Sequence, residues 1–391
     1  MEPDLHPESP TSFRSWRGLG YGLLAAFLVA TVYFIHLDYD PASFSSGDNQ
    51  EAFSEVKDRN TLLKKFDFTL NTGRPAQSSY YMPMVSVVLG FLLDHFQDRP
   101  EPCFRTSILL LAISTFLCFL IFREIIGNDF IAFMTSMSFG LFLPTFATVS
   151  YLCFGLSIGV ISIFCLSSLY CFIKYVHEDR RIWYYISLIL FFGACLSKVE
   201  WTLSLIPTMC LYYLLFKRKG PWLSLQKGDL LLLPHLAGGL AVFMIDLCRL
   251  KHSTLVNVWG GFNFGVHTLY RFFDLMSFLI TIVPVANGFK MMIVVGILFS
   301  LPILVHFARK DSKLLFFACW TGMAILPYVF SNFRWIYTLG RYLYFPSIGW
   351  YGLLYYATTR IENRPLRILF TGWVILYSVG VNLLLLLGWV T

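Results

Sequence analysis

RTSILLLAISTFLCFLIF, residues 105–122, is the stretch that decides the fold. After Arg105 it carries no charge, and a helix needs about 20 mostly apolar residues to cross the hydrocarbon core of a bilayer. Similar runs recur near residues 18–36, 129–146, 149–173, 182–197, 201–216, 230–248, 289–307, 313–330, 343–358 and 366–389. Backbone polar groups cannot go unpaired in lipid, so these runs are expected as helices and not as open strands. Composition agrees, with 57% of the 391 residues hydrophobic and 14% charged, more apolar surface than a soluble fold could hide. The expectation is an all-α polytopic membrane protein with about eleven spans. It comprises a cytoplasmic segment 1–17, one transmembrane domain over 18–391, and a long first extracytoplasmic loop, 37–104, that contains interfacial helices.

Charge orients the spans. Arg14 and Arg17 precede the first one, and Lys174, Arg180 and Arg181, then Lys217, Arg218 and Lys219, then Arg309, Lys310 and Lys313, then Arg360, Arg364 and Arg367 occupy loops of one parity. Loops rich in Lys and Arg stay in the cytoplasm, so the N-terminus is expected there too. The expected location is a bacterial inner membrane, with the opposite face periplasmic or in an equivalent lumen. Residues 269–287 end in Pro284 and Gly288 and read as a helix lying on or dipping into the outer leaflet. The first apolar run is long, lacks a small-residue cleavage site and follows Pro3, Pro7 and Pro10, so it reads as an anchor and not as a signal peptide. The net charge of +7 is spread over the loops, and no nucleic-acid partner is inferred. Most of the nine cysteines fall inside apolar runs without C-x-x-C spacing, which points to small packing residues and to neither disulfides nor a metal cage.

Polar residues on the expected outer side are where function is sought. The first outer loop, roughly sixty residues, is far longer than an ordinary connection. It opens on Asp38-Tyr39-Asp40, carries apolar positions throughout, and closes on an amphipathic run, Tyr80 to Phe96. At the same level stand Ser197-Lys198-Val199-Glu200-Trp201 in a tight hairpin, and SNFRWIYTLGRYLYFPS, which contains Arg334, Arg341 and Tyr342. Outer-side cations run against the orientation rule, and binding of an anionic ligand such as a lipid phosphate would explain them. Each has a plainer reading: Asp38 and Asp40 as the hydrated end of a helix, Lys198 as a snorkelling side chain, Arg341 as a cation stacked on its aromatic neighbours, and Glu200 as a salt-bridge partner. His252, with His267, Arg249, Lys251 and Arg271, falls in a later outer segment whose plain reading is a solvated loop. Isolated His235 reads as a structural histidine, and Gly238-Gly239 as helix packing.

Taken in order, Asp38-Tyr39-Asp40, Asp48-Asn49, Phe68-Thr69, Tyr81-Met82-Pro83-Met84, the Ser-Lys-Glu-like hairpin and Arg341-Tyr342-Leu343-Tyr344-Phe345-Pro346-Ser347 resemble the GT-C superfamily of polyprenyl-phosphate-dependent glycosyltransferases. The likeness is to its protein O-mannosyltransferase-like branch, which includes the transmembrane and tetratricopeptide-repeat-containing mannosyltransferases and their bacterial relatives. The resemblance implies a lipid-linked sugar as donor, a protein, glycan or lipid as acceptor, and catalysis on the extracytoplasmic face. It implies Asp38 or Asp40 as general base, the other orienting the acceptor or a divalent cation. Lys198, Arg341 and Tyr342 would then hold the donor phosphate, with Glu200, Arg334 and His252 in support. No metal ligands are assigned. Two departures stand out: Val199 separates Lys198 from Glu200, where the family has Lys followed directly by Glu, and Gly340 stands where a Glu commonly precedes Arg-Tyr. They keep open an alternative, a non-catalytic subunit or scaffold of a membrane complex with partner subunits. A transporter fits less well, because the ionisable residues collect at one surface and no internal repeat is seen.

Overall fold

The computed structural model describes residues 16–36, 83–96, 99–142, 145, 152–197, 199–218, 227–250, 266–281, 311–329 and 342–386. All regular structure among them is helical: α1 (Trp16–His36), α2 (Pro83–His95), α3 (Pro100–Ile126), α4 (Asp129–Gly140), α5 (Leu152–Glu178), α6 (Arg181–Cys195), α7 (Val199–Phe216), α8 (Leu233–Leu250), α9 (Val266–Thr281), α10 (Ser312–Val329), α11 (Tyr344–Thr359), α12 (Arg364–Ile375) and α13 (Val381–Leu386). A 3-10 turn, Lys227–Leu232, leads into α8, and a π-helical turn, Leu376–Gly380, joins α12 to α13.

Among the described residues, five stretches are long and apolar enough to cross a bilayer: Gly18–His36, Glu101–Ile126, Gly155–Glu178, Ser312–Val329 and Arg364–Leu384. The outer surface is apolar as well. Ile182, Tyr185 and Ile189 on α6, and Leu233, Leu236, Leu240 and Met244 on α8, are each more than half exposed. Stripes of that kind at helical spacing on the outside of a packed bundle suit lipid and would be costly in water. The chain is thus an all-α membrane protein.

Local chemistry sets the helix ends. Gly127 stops α3 in the left-handed conformation, φ 85°, and its N–H returns to the Arg123 carbonyl at 3.1 Å. Asn128 then caps α4, accepting from Ile131 N at 3.0 Å. The expected span 129–146 is helical over Asp129–Gly140, because the chain soon reaches Pro144, whose ring would clash with the Gly140 carbonyl. Most of the run Tyr80 to Phe96 is helical, as α2, which buries Val85, Leu89, Leu92 and Leu93 and leaves Phe91 exposed. Residues 289–307 lie outside the described set, as do 282–287 of the doubtful element. The described part of that element, α9, is helical as expected, buries Leu275 and Leu279 and packs against α10.

Side-chain contacts sort the helix termini into two ends. At the end where α1 begins, here the proximal end, Gly18 packs on Arg123 and Asp129, whose Nε–Oδ1 distance is 2.9 Å. Lys174 pairs with Glu178 and lies 3.7 Å from Glu124; His177 Nε2 lies 2.8 Å from the Tyr212 hydroxyl. Lys217 reaches Asp179 at 2.5 Å over the Tyr175 ring, and Asp311 pairs with Arg360. The basic residues at 174–181, at 217, and at 313 and 360–367 therefore gather at one end, as their common parity required. Gly238 and Gly239 pack against Phe192 and Ile206, the helix-packing role expected of them. His235 is buried among Phe172, Tyr184 and Phe191, with ring centroids 6.0, 5.7 and 5.0 Å away. The described cysteines are free, and Cys103, Cys118, Cys165, Cys171 and Cys195 are buried.

Inside the bundle, a hydroxyl triangle ties the final helix to its neighbours. Ser138 of α4 lies 2.9 Å from the Tyr355 hydroxyl of α11 and 2.8 Å from Ser378 Oγ of the π turn; Tyr355 and Ser378 are 2.7 Å apart. Asn382 Nδ2 donates to the Ser378 carbonyl at 2.5 Å. The wider π turn brings Ser378 onto this face. Tyr355→Phe removes two of the three links without opening a cavity, and should cost about 0.6–1.7 kcal/mol, the range for hydrogen bonds between membrane helices. Thermal unfolding in detergent would read this as a small drop in Tm, and an unchanged Tm would mean the triangle contributes nothing net.

Candidate functional site

The distal end, where α1 finishes, is where the sequence places its candidate chemistry. Asp38, Asp40, Lys198, His252, Arg334 and Arg341 lie outside the described residues. Glu200 belongs to the first turn of α7, and Tyr342 is described in full. The site is therefore built from the segments that carry these residues.

Tyr33, three residues before the end of α1, is fully buried and donates its hydroxyl to the Gly140 carbonyl at 3.0 Å. This ties the root of the Asp38-Tyr39-Asp40 loop to the distal end of α4. Where that loop ends, the first turn of α2 meets the α6–α7 hairpin, and Met84 N donates to the Leu196 carbonyl at 3.1 Å. Ser197, the residue before Lys198, is buried and donates to the Gly193 carbonyl at 2.8 Å. On the other side of the hairpin, the Trp201 ring lies 5.3 Å from Tyr344 and 5.6 Å from Phe345, inside the Arg-Tyr-Leu-Tyr-Phe-Pro-Ser string. Phe139 meets Tyr344 edge-on at 4.8 Å, and Trp320 lies 5.6 Å from Phe345.

That string folds as it does for local reasons. Pro346 falls in the first turn of α11, where its missing N–H has no partner to lose. Ser347 closes the turn, donating Oγ to the Tyr344 carbonyl at 2.7 Å and its N–H to the Leu343 carbonyl at 2.8 Å. Tyr342 is buried at the head of the helix, its ring 4.7 Å from Tyr328 at the distal end of α10.

Burial here strands some polar groups. Trp320 Nε1 and Ser204 Oγ are buried with no hydrogen-bond partner among the described residues. Ser114 and Ser162, which donate to the Leu110 and Ile158 carbonyls, flank the Tyr344 hydroxyl and can accept its proton.

Arg271 corrects one sequence expectation. It reads as part of a solvated loop, but it sits half-buried on α9, with Asp274 one turn on and Tyr342 within electrostatic range. The signal was the Arg271–Asp274 spacing in an amphipathic run, hidden because apolar residues crowd only the C-terminal half of that helix. Among the described residues no group of three His, Cys, Asp or Glu side chains could hold a metal ion.

Comparison with known protein families and with curated proteins finds no match to the chain. The functional argument accordingly rests on the residues and their arrangement.

Proposed function

We propose that the chain is a membrane glycosyltransferase of the GT-C type, moving a sugar from a polyprenyl-phosphate carrier to an acceptor hydroxyl on the extracytoplasmic face. In this reading the chain crosses the membrane about eleven times, and its proximal, arginine- and lysine-rich end is cytoplasmic. One observation carries it: three segments far apart in sequence meet at the distal end. The close of the first loop touches the Ser-Lys hairpin through Met84 and Leu196, and the hairpin touches the Arg-Tyr-Leu-Tyr string through Trp201 and Tyr344. The hairpin carries Lys198 and Glu200 and the string carries Arg341 and Tyr342, while the carboxylates Asp38 and Asp40 stand at the opening of the first loop.

In the reaction, the acceptor oxygen attacks the anomeric carbon while the bond from that carbon to the phosphate oxygen breaks. Asp38 or Asp40 takes the acceptor proton, and Lys198, Arg341 and Tyr342 stabilise the departing polyprenyl phosphate. Glu200 orients Lys198, with Arg334 and His252 in support. A donor that travels in lipid requires the pocket to open sideways to the outer leaflet.

Asp38→Asn and Asp40→Asn test this in cells that make the protein. Loss of the general base should slow transfer about 10²–10⁴-fold, so a glycan on an extracytoplasmic protein or lipid disappears for one of the two variants while protein levels hold. Unaltered glycosylation in both would sink the proposal. The Lys198-Val199-Glu200 spacing and Gly340 before Arg341 favour a second reading, a non-catalytic subunit of a membrane complex. Copurification of stoichiometric partners with no bound polyprenyl lipid would select it.

A further inference from the structure

α12 is set apart from the rest of the bundle by how little covers it. Over Arg364–Ile375 only Val374 is buried, and Ile368, Leu369 and Trp373 are exposed by 62, 69 and 56%. Phe370, Trp373 and Tyr377 form a run of rings along one side, with Trp373 and Tyr377 stacked at 5.7 Å and 8°.

The charges at the foot of this helix differ from most of those at the same end. Arg123, Lys174, Lys217 and Arg360 each pair with a carboxylate. Arg364 and Arg367 lie exposed and, among the described residues, their guanidinium groups have neither an ion pair nor a hydrogen bond, as is also true of Arg181. They are three apart on the helix and so share a face. Two guanidinium groups followed at three-residue steps by the exposed rings of Phe370 and Trp373 match one kind of molecule in size and charge order: an anionic head group with acyl chains attached. Guanidinium binds phosphate oxygens through two parallel N–H donors, and basic residues at a membrane surface attract acidic lipids.

We propose that the α12 face, from Arg364 and Arg367 up to Trp373, is a binding surface for an anionic phospholipid. The head-group phosphate sits between the two arginines and an acyl chain lies along Phe370 and Trp373. The surface lies at the proximal end, opposite the glycosyl-transfer site proposed above, and does not depend on it.

The test uses the full chain in nanodiscs of mixed phosphatidylglycerol and phosphatidylcholine, extracted and weighed by native mass spectrometry. The wild type should retain phosphatidylglycerol preferentially. Arg364→Gln with Arg367→Gln should lower that preference about tenfold, whereas Arg364→Lys with Arg367→Lys should keep most of it. Arg180→Gln with Arg181→Gln, which removes the same charge from the α5–α6 turn, should leave it unchanged. Should the double Gln variant aggregate, the single Arg367→Gln variant carries the measurement, with a smaller drop expected. No lipid preference in the wild type, equal retention by wild type and Gln variant, or an equal loss in the Arg180/Arg181 control would overturn the proposal. So would cross-linking of a second copy through a cysteine placed at Leu369, since the face would then belong to a dimer.

Discussion

Gly349→Ala is expected to lower stability by about 1–3 kcal/mol, the usual cost of overpacking a dense core, and Gly349→Val to leave little folded protein. A Cβ at this position would stand 2.8 Å from both the backbone nitrogen and Oγ1 of Thr321, and 3.2 Å from the Phe317 carbonyl. The first and last of these are backbone atoms of α10, which cannot rotate away, so the added methyl group must push α10 and α11 apart. Those two helices hold Trp320 against Phe345 and Tyr328 against Tyr342, so a small separation reaches the distal site. Close approach through a small residue is the ordinary way membrane helices gain van der Waals contact. Gly322, next to Thr321 on the same pair of helices, has nothing within 4 Å of its would-be Cβ. Gly322→Ala should therefore be neutral or gain up to about 1 kcal/mol from helix propensity. Thermal unfolding of both variants in detergent decides the matter, and equal midpoints would show that the close approach at Gly349 is not what limits this interface.

Asp311→Ala should be nearly as damaging, at about 2 kcal/mol, combining a lost helix cap with a lost partner for a half-buried charge cluster. The carboxylate is mostly buried, and its Oδ1 accepts from Lys313 N at 2.9 Å, which caps α10. It also accepts the Tyr356 hydroxyl at 3.0 Å and pairs with Arg360, so one side chain fastens the start of α10 to the end of α11. Arg360 is 56% exposed, and solvent screens its share of the pair; Arg360→Gln should accordingly cost well under half as much. Asp311→Asn keeps an oxygen for the cap and should fall between the two. If Arg360→Gln lowers Tm as far as Asp311→Ala, the cap and the tyrosine contribute nothing and this account is wrong.

The resemblance to glycosyltransferases rests on short motifs spread along the chain, and some residues in or beside those motifs meet in space. Trp201 and Tyr344 are 143 positions apart in sequence and 5.3 Å apart in space. No periodicity announces such a meeting, because it depends on how α7 and α11 pack and not on either helix alone. Arg271 shows the opposite failure. In the sequence it groups with the solvated residues before it, whereas α9 is one continuous helix that brings Arg271 within electrostatic range of Tyr342.

Most of the described helices, and the gathering of the described basic residues at one end, were legible in the sequence, because apolar runs leave the backbone one local solution and charged residues avoid the apolar interior. Pairings between helices were not. They follow from where small residues such as Gly349 let backbones approach, where hydroxyls such as Ser138, Tyr355 and Ser378 find one another, and which arginines are left without a carboxylate. Each of these is a relation between segments far apart in the chain, and only packing in three dimensions brings it about.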